Sequence, residues 1–186
     1  LAQGQPDEAD KAYAVAAKFW ADYLGARATV YADSVRQGAD GGATMAARMS
    51  WLADRAHRSF GKPDQAVTLL NFVVKVTPED GDAWQNLAFF RREAGDHEAA
   101  RAAYARAFEL LPDDPQIMND YAVVLHYYLK TEDELALELY RKAKTRAQEM
   151  LEAGGLTEED RLRIATALQD STNNLKRLEA GDRNNR

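Results

Sequence analysis

The feature that most constrains this chain is a spacing. Gly61, Ala66, Val73 and Pro78 are answered 34 residues later by Gly95, Ala100, Ala107 and Pro112. Four coincidences at one offset make a repeat. The fullest copy runs from Asp82 to Asp113 and reads as two short amphipathic helices joined at Gly95 and closed by Pro112. Its first helix presents Trp84, Leu87 and Ala88. Its second presents Ala100, Ala103, Tyr104, Ala107 and Leu111, the spacing of one buried stripe. The small Ala100 and Ala107 predict a close helix approach, with Trp84 and Tyr104 filling the neighbouring holes.

A first copy is expected over 47–80. Its leading helix starts near Thr44 and runs to Phe60, turns at Gly61, Lys62 and Pro63, and hands over to a helix that buries Ala66, Leu69, Leu70, Val73 and Val76. Pro63 suits the first turn of that helix, where no amide donor is needed. A third copy follows over 115–153 with Met118, Tyr121, Ala122 and Leu125, then Ala136, Leu139, Tyr140 and Ala143. From Ala100 to Ala136 is 36 residues, so the turn around Lys130 and Thr131 is two residues longer than the others. A loop absorbs such a change. Gly154 and Gly155 stop the last helix.

The flanks do not repeat. Residues 1–37 read as a lead-in followed by a helix from Asp7, whose Asp7, Glu8 and Asp10 suit a first turn. It runs to about Arg36, as one long helix or as two in line bent at Gly25, and covers the open face of the first repeat. Residues 38–46 hold a linker, Gly38 to Gly42, whose three glycines oppose helix continuation, and the start of the next helix. Thr157, with Asp160 three residues on, caps a helix over 157–180. Its Ile164, Ala167, Leu168, Leu175 and Leu178 face the last repeat, and Arg163, Asp170, Asn173, Lys176 and Arg177 face water, as a terminal cap requires. Residues 181–186 are expected to be a disordered tail.

Composition narrows the function. With 46% hydrophobic residues in 186 positions the chain can bury a sizeable core. A net charge of -6 argues against a general electrostatic hold on nucleic acid or an anionic membrane. No cysteine is present, so packing alone must hold the fold, in cytosol or periplasm alike. No window resembles a membrane span. The sequence begins at Leu1 and not at methionine, which is expected of a processed protein or of a piece of a longer one.

The order Trp84, Leu87, Ala88, Gly95, Ala100, Tyr104, Ala107 and Pro112, with two helices per 34 residues, resembles the tetratricopeptide repeat (TPR). The first copy keeps Gly61, Ala66 and Pro78, with Leu70 and Val73 in the aromatic and second alanine slots. Ser50 stands where the tryptophan would be, next to Trp51. The third copy keeps Tyr121, Ala122, Ala136, Tyr140 and Ala143 without the closing proline. The resemblance covers residues 47 to 150 and departs at Arg91, which occupies an aromatic slot; Phe89 and Phe90 compensate by rotation of the helix, or Arg91 meets a carboxylate of a neighbouring repeat. It implies an all-α right-handed superhelix of about three helix pairs, with an N-terminal extension and a C-terminal cap.

The resemblance also implies a concave groove, lined by the first helix of each pair, that receives a peptide. The repeat register puts Arg48, Trp51, Arg55 and Arg58 there in the first copy. It adds Gln85, Phe89 and Arg92 from the second, and Gln116, Asn119, Val123 and His126 from the third. Guanidinium forks beside flat aromatic surface suit a carboxylate with apolar anchors. The expected partner is therefore an acidic segment or a C-terminus; the competing reading is that these arginines are solvated or paired with Asp54, Asp82 and Glu93. The lysine and asparagine set that grips heat-shock chaperones in one TPR subclass is replaced here by Trp51, Gln116 and Arg55, although Asn86 remains. Chaperone binding is not expected.

The chemistry of an enzyme is not visible. His57, His97 and His126 fall in different repeats with no second histidine at helical spacing, so no metal site is expected. His97 reads as packing and His126 as a groove contact. Of Tyr127 and Tyr128, one is expected to lie exposed near the groove. No nucleophile elbow, phosphate loop or dinucleotide fingerprint appears, and no catalytic, cofactor-binding or metal residue is assigned. The leading reading is a non-enzymatic scaffold or adaptor. The alternative is a regulatory or sensory domain of a larger protein, with the groove filled by the same chain; an all-helical enzyme ranks third. Self-association through an open end of the repeat array remains compatible with all three.

Overall fold

The computed structural model describes residues 19, 22–24, 26–38, 40–60 and 63–182, without the side chains of 40–42 and 55–60. Among these residues every regular element is helical. They divide into two compact units, Leu1–Ala94 and Gly95–Arg186.

In the first unit a leading helical stretch, 26–36, is followed by α1 (Asp40–Phe60), α2 (Pro63–Val76) and α3 (Gly81–Glu93). Most of the expected leading helix, including Trp20 and the bend at Gly25, lies outside the described residues. The part that is described buries Leu24 and Ala28 and sets Tyr31 edge-on to Phe72 of α2 at 5.6 Å. The leading stretch thus packs on the first helix pair. Its end is set by Gly38, whose φ of 73° admits the turn and whose amide donates to the Val35 carbonyl.

The linker is shorter than its glycines predict. Helix α1 resumes at Asp40 and takes Gly41 and Gly42 into its first turn, where the amides need no intrahelical partner and glycine's poor propensity matters least. Helix α2 begins at Pro63 and buries Ala66, Leu69, Leu70, Val73 and Val76 as expected, and Phe72 and Val74 besides. It packs against α1 on one side and α3 on the other. In α3, Leu87 and Ala88 are fully buried. Trp84 is not: it is half-buried, and its indole Nε1 donates to the Pro78 carbonyl at 2.9 Å, closing over the turn that precedes α3. Arg91 reaches the Asn71 carboxamide of α2 at 2.9 Å, so a neutral oxygen of the neighbouring repeat meets the cation in the aromatic slot.

In the second unit come α4 (His97–Leu110), α5 (Pro115–Val123), a wider π-helical turn at Val124–Leu129, α6 (Asp133–Ala153) and α7 (Glu158–Glu179). Ala100, Ala103, Tyr104 and Ala107 of α4 are buried, as are Met118, Tyr121, Ala122, Leu125, Ala136, Leu139, Tyr140 and Ala143. The two extra residues of the third repeat are absorbed by the π turn and by Lys130 and Glu132, both left-handed at φ 55° and 53°. Helix α7 packs on both α5 and α6. Gly154 and Gly155, at φ 70° and 77°, make the break before it.

Aspartates start three of these helices. Asp80 accepts from the Ala83 amide, Asp96 from Ala99, and Asp114 from both Gln116 and Ile117 at 2.8 and 3.1 Å. Asp114 also accepts from Arg163 Nη1 of α7 at 2.7 Å. One carboxylate therefore orders the start of α5 and ties α7 to it. Asp114→Ala is expected to cost about 2 kcal/mol in urea unfolding, against less than about 1 kcal/mol for Arg163→Ala, whose partner keeps its cap.

Candidate functional site

On the first-repeat helix α1, Arg48 is exposed and Trp51 is 60% exposed. The side chains of Arg55 and Arg58, and of His57, lie outside the described residues. Gln85, Phe89 and Arg92 recur at i, i+4 and i+7 along one side of α3 and are half-buried. The Arg92 guanidinium sits 5.0 Å from the Phe89 ring centroid and its Nη2 is 3.2 Å from Glu93. This is a cation stacked on an aromatic face, with the fork held beside it. Such a pair can take a carboxylate on the guanidinium and an apolar group on the ring.

The third repeat corrects the register-based expectation. His126 is fully buried and Asn119 is 5% exposed, so neither is a free surface contact; Gln116 and Val123 are half-buried. Helix α7 is the reason. Asn174 Nδ2 donates to Asn119 Oδ1 at 3.2 Å, and the Tyr127 hydroxyl donates to Asn174 Oδ1 at 3.0 Å. His126 Nε2 donates to the Asp182 carbonyl at 2.7 Å. A carbonyl can only accept, so Nε2 carries the hydrogen. Nδ1 lies within hydrogen-bond reach of the Tyr140 hydroxyl, at 3.3 Å. Burial, with Tyr127 and Asp120 adding to it, holds the Tyr140 phenol well above its ordinary range and keeps it neutral.

Neither tyrosine of the pair is exposed. Tyr127 is buried, its ring stacked on His126 at 3.9 Å, and Tyr128 is half-buried with its ring 4.6 Å from that of His97. The widened π turn sets Tyr127 under α7 and Tyr128 against α4. His97 is a packing residue here. Nor is the start of the expected tail loose: Gly181 at φ 74° ends α7, and the Asp182 amide donates back to the Arg177 carbonyl. Residues 183–186 lie outside the described residues.

A cleft of about 460 Å³ opens between α5 and α7, with Gln116, Asn119 and Asp120 on one wall and Glu159, Leu162, Arg163, Thr166, Ala167 and Asp170 on the other. Sequence reasoning gave Gln116 and Asn119 to a groove but did not see that α7 would supply its second wall. Asp80 and Asp114 stand 34 residues apart, so the capping aspartate was legible as part of the repeat, but its pairing with Arg163, which ties α7 to α5, appears only in three dimensions. Among the described residues no group of three or more His, Asp or Glu is placed to hold a metal ion.

The family model described as tetratricopeptide repeat matches residues 55–115. Over this span the chain carries tetratricopeptide repeat sequence. Among solved structures, the chain is similar to PcrH, determined in complex with the chaperone binding region of PopD. The likeness has a TM-score of 0.60 at 16% identity and covers 72% of this chain and 90% of that one. At that identity the likeness is one of fold. The matched residues include the repeat inferred from the 34-residue offset. No curated protein matches the sequence.

Proposed function

We propose that this chain is a non-enzymatic interaction module that holds a peptide segment of a partner protein against the first helices of its repeats. The observation that carries the reading is the Arg92–Phe89 pair on α3, at the positions the repeat register assigns to the inner face. Arg48 and the exposed Trp51 repeat the same chemistry on α1. The fold neighbour PcrH, seen with a segment of its partner, supports a peptide as the ligand. An acidic segment or a C-terminal carboxylate with an apolar neighbour fits this half of the chain.

A cross-linked pull-down from source cells, with the cross-linked residues mapped, tests the proposal. The native chain is compared with a Trp51→Ala, Arg92→Glu variant shown to be folded by circular dichroism. Cross-links should fall on α1 and α3, and the variant should bind the captured partner about 30-fold more weakly, the effect of losing a hot spot. Cross-links confined to other helices, with full binding by the variant, would refute it.

A second reading, that the inner face is filled by the same chain, is favoured in the third repeat. There α7 and Asp182 already cover Asn119 and His126. In that repeat the chain itself covers two of the four positions that the register gave to a partner, Asn119 and His126.

A further inference from the structure

We propose that the cleft between α5 and α7 receives a basic side chain and an adjoining aliphatic one from the partner segment. This rests on the peptide-binding reading and names the chemistry of one part of it.

Leu162 carries the apolar half. It is 70% exposed, on the wall of a 460 Å³ cleft whose floor includes the buried Ala167. The rest of the α7 apolar stripe, Ile164, Leu168, Leu175 and Leu178, is buried or half-buried. Leu162 therefore stands apart from the side chains that fasten α7 down. An aliphatic group laid against it from within the cleft would be removed from water on both sides, in a concavity of the size that holds small ligands.

Charge selects what accompanies that group. The cleft carries three carboxylates, Asp120, Glu159 and Asp170, against one cation, Arg163. Arg163 is turned to Asp114 at 2.7 Å, where it answers a carboxylate from outside the lining. Among the described residues Glu159 and Asp170 enter no ion pair. A partner's arginine or lysine would find charge-assisted acceptors in Glu159 and Asp170 on the α7 wall, with Asp120, which accepts from Asn119 Nδ2 at 3.2 Å, adding negative charge from the α5 wall, and an acidic segment would be repelled. The acidic ligand expected of Arg48 and Arg92 does not suit this cleft.

The test uses the full chain labelled with ¹⁵N. Three synthetic peptides share one leucine-containing sequence and differ only in whether the flanking positions are arginine, glutamine or glutamate. The arginine peptide should shift the amide resonances of Asp120, Leu162 and Asp170 and bind about tenfold more tightly than the glutamine peptide. Asp120→Asn with Asp170→Asn should abolish that preference, and Leu162→Ser, a change on the surface, should weaken all binding at the cleft. A glutamine or glutamate peptide that binds there as tightly, or a preference that survives the double substitution, would overturn the proposal. Shifts confined to α1 and α3 would overturn it while leaving the peptide-binding reading standing. No shift anywhere would count against both.

Discussion

A chain ending at Gly155, and so lacking α7, is expected to lose its cooperative unfolding transition and to aggregate. Helix α7 covers the α5–α6 pair with Ile164 and Ala167 buried and Leu168, Leu175 and Leu178 half-buried. At about 25 cal/mol per Å² of apolar surface, two full burials, one of them only an alanine, and three partial ones are worth about 5 kcal/mol. A domain's entire stability is about 5–15 kcal/mol. The truncated chain also uncovers Tyr127 and His126 and leaves Arg141 without Glu179, 3.1 Å away in the full chain. Urea unfolding followed by circular dichroism gives the comparison. A truncated chain with the full-length midpoint would make α7 an appendage.

The second large effect is expected at His126. Replacing it with leucine keeps the volume roughly and removes both ring nitrogens. The Tyr140 hydroxyl and the Asp182 carbonyl then lose the partners they have at 3.3 and 2.7 Å. The buried Tyr140 hydroxyl so orphaned costs about 1–3 kcal/mol, and the part-buried Asp182 carbonyl less. The total, about 3 kcal/mol, corresponds to a melting point lower by about 6–12 °C in a chain of this size. Trp51→Ala, at a largely exposed position, should stay within about 0.5 kcal/mol of the native chain. A surface ligand residue would behave like Trp51. Thermal melts of the two variants side by side therefore separate a core histidine from a groove contact.

What the sequence made legible was whatever repeats. Leu87, Ala88, Ala100, Tyr104 and Ala107 are buried where the 34-residue offset put them, and so are Ala66, Leu70 and Val73 in the first pair and Tyr121, Ala122, Ala136, Tyr140 and Ala143 in the third. Helix starts at Pro63 and after Thr157 were visible because a proline and a capping threonine each leave one local signature. What was not legible depends on a neighbour. Helical register assigns a face to Asn119 and His126, but not what another helix does with that face. That depended on Asn174 and Asp182, 55 and 56 residues away. Trp84 was misplaced for a related reason: apolar spacing marks its ring as core, and only the three-dimensional turn at Pro78 shows that the indole has a polar partner near the surface. Gly41 and Gly42 misled because glycine content argues against a helix interior and says little about a first turn.

The bond from His126 to the Asp182 carbonyl changes how this end of the chain should breathe. In a linear array of stacked pairs each unit touches only its neighbours, and the outermost helix frays first, exchanging its amide hydrogens fastest. Here the residue just past the last helix is fastened to a ring in the middle of the unit, 56 positions earlier. The final turn of α7 can open only by pulling on the buried Tyr140–His126–Tyr127 cluster. Slow exchange at the end of α7 and slow exchange in the core of the third pair thus become one event.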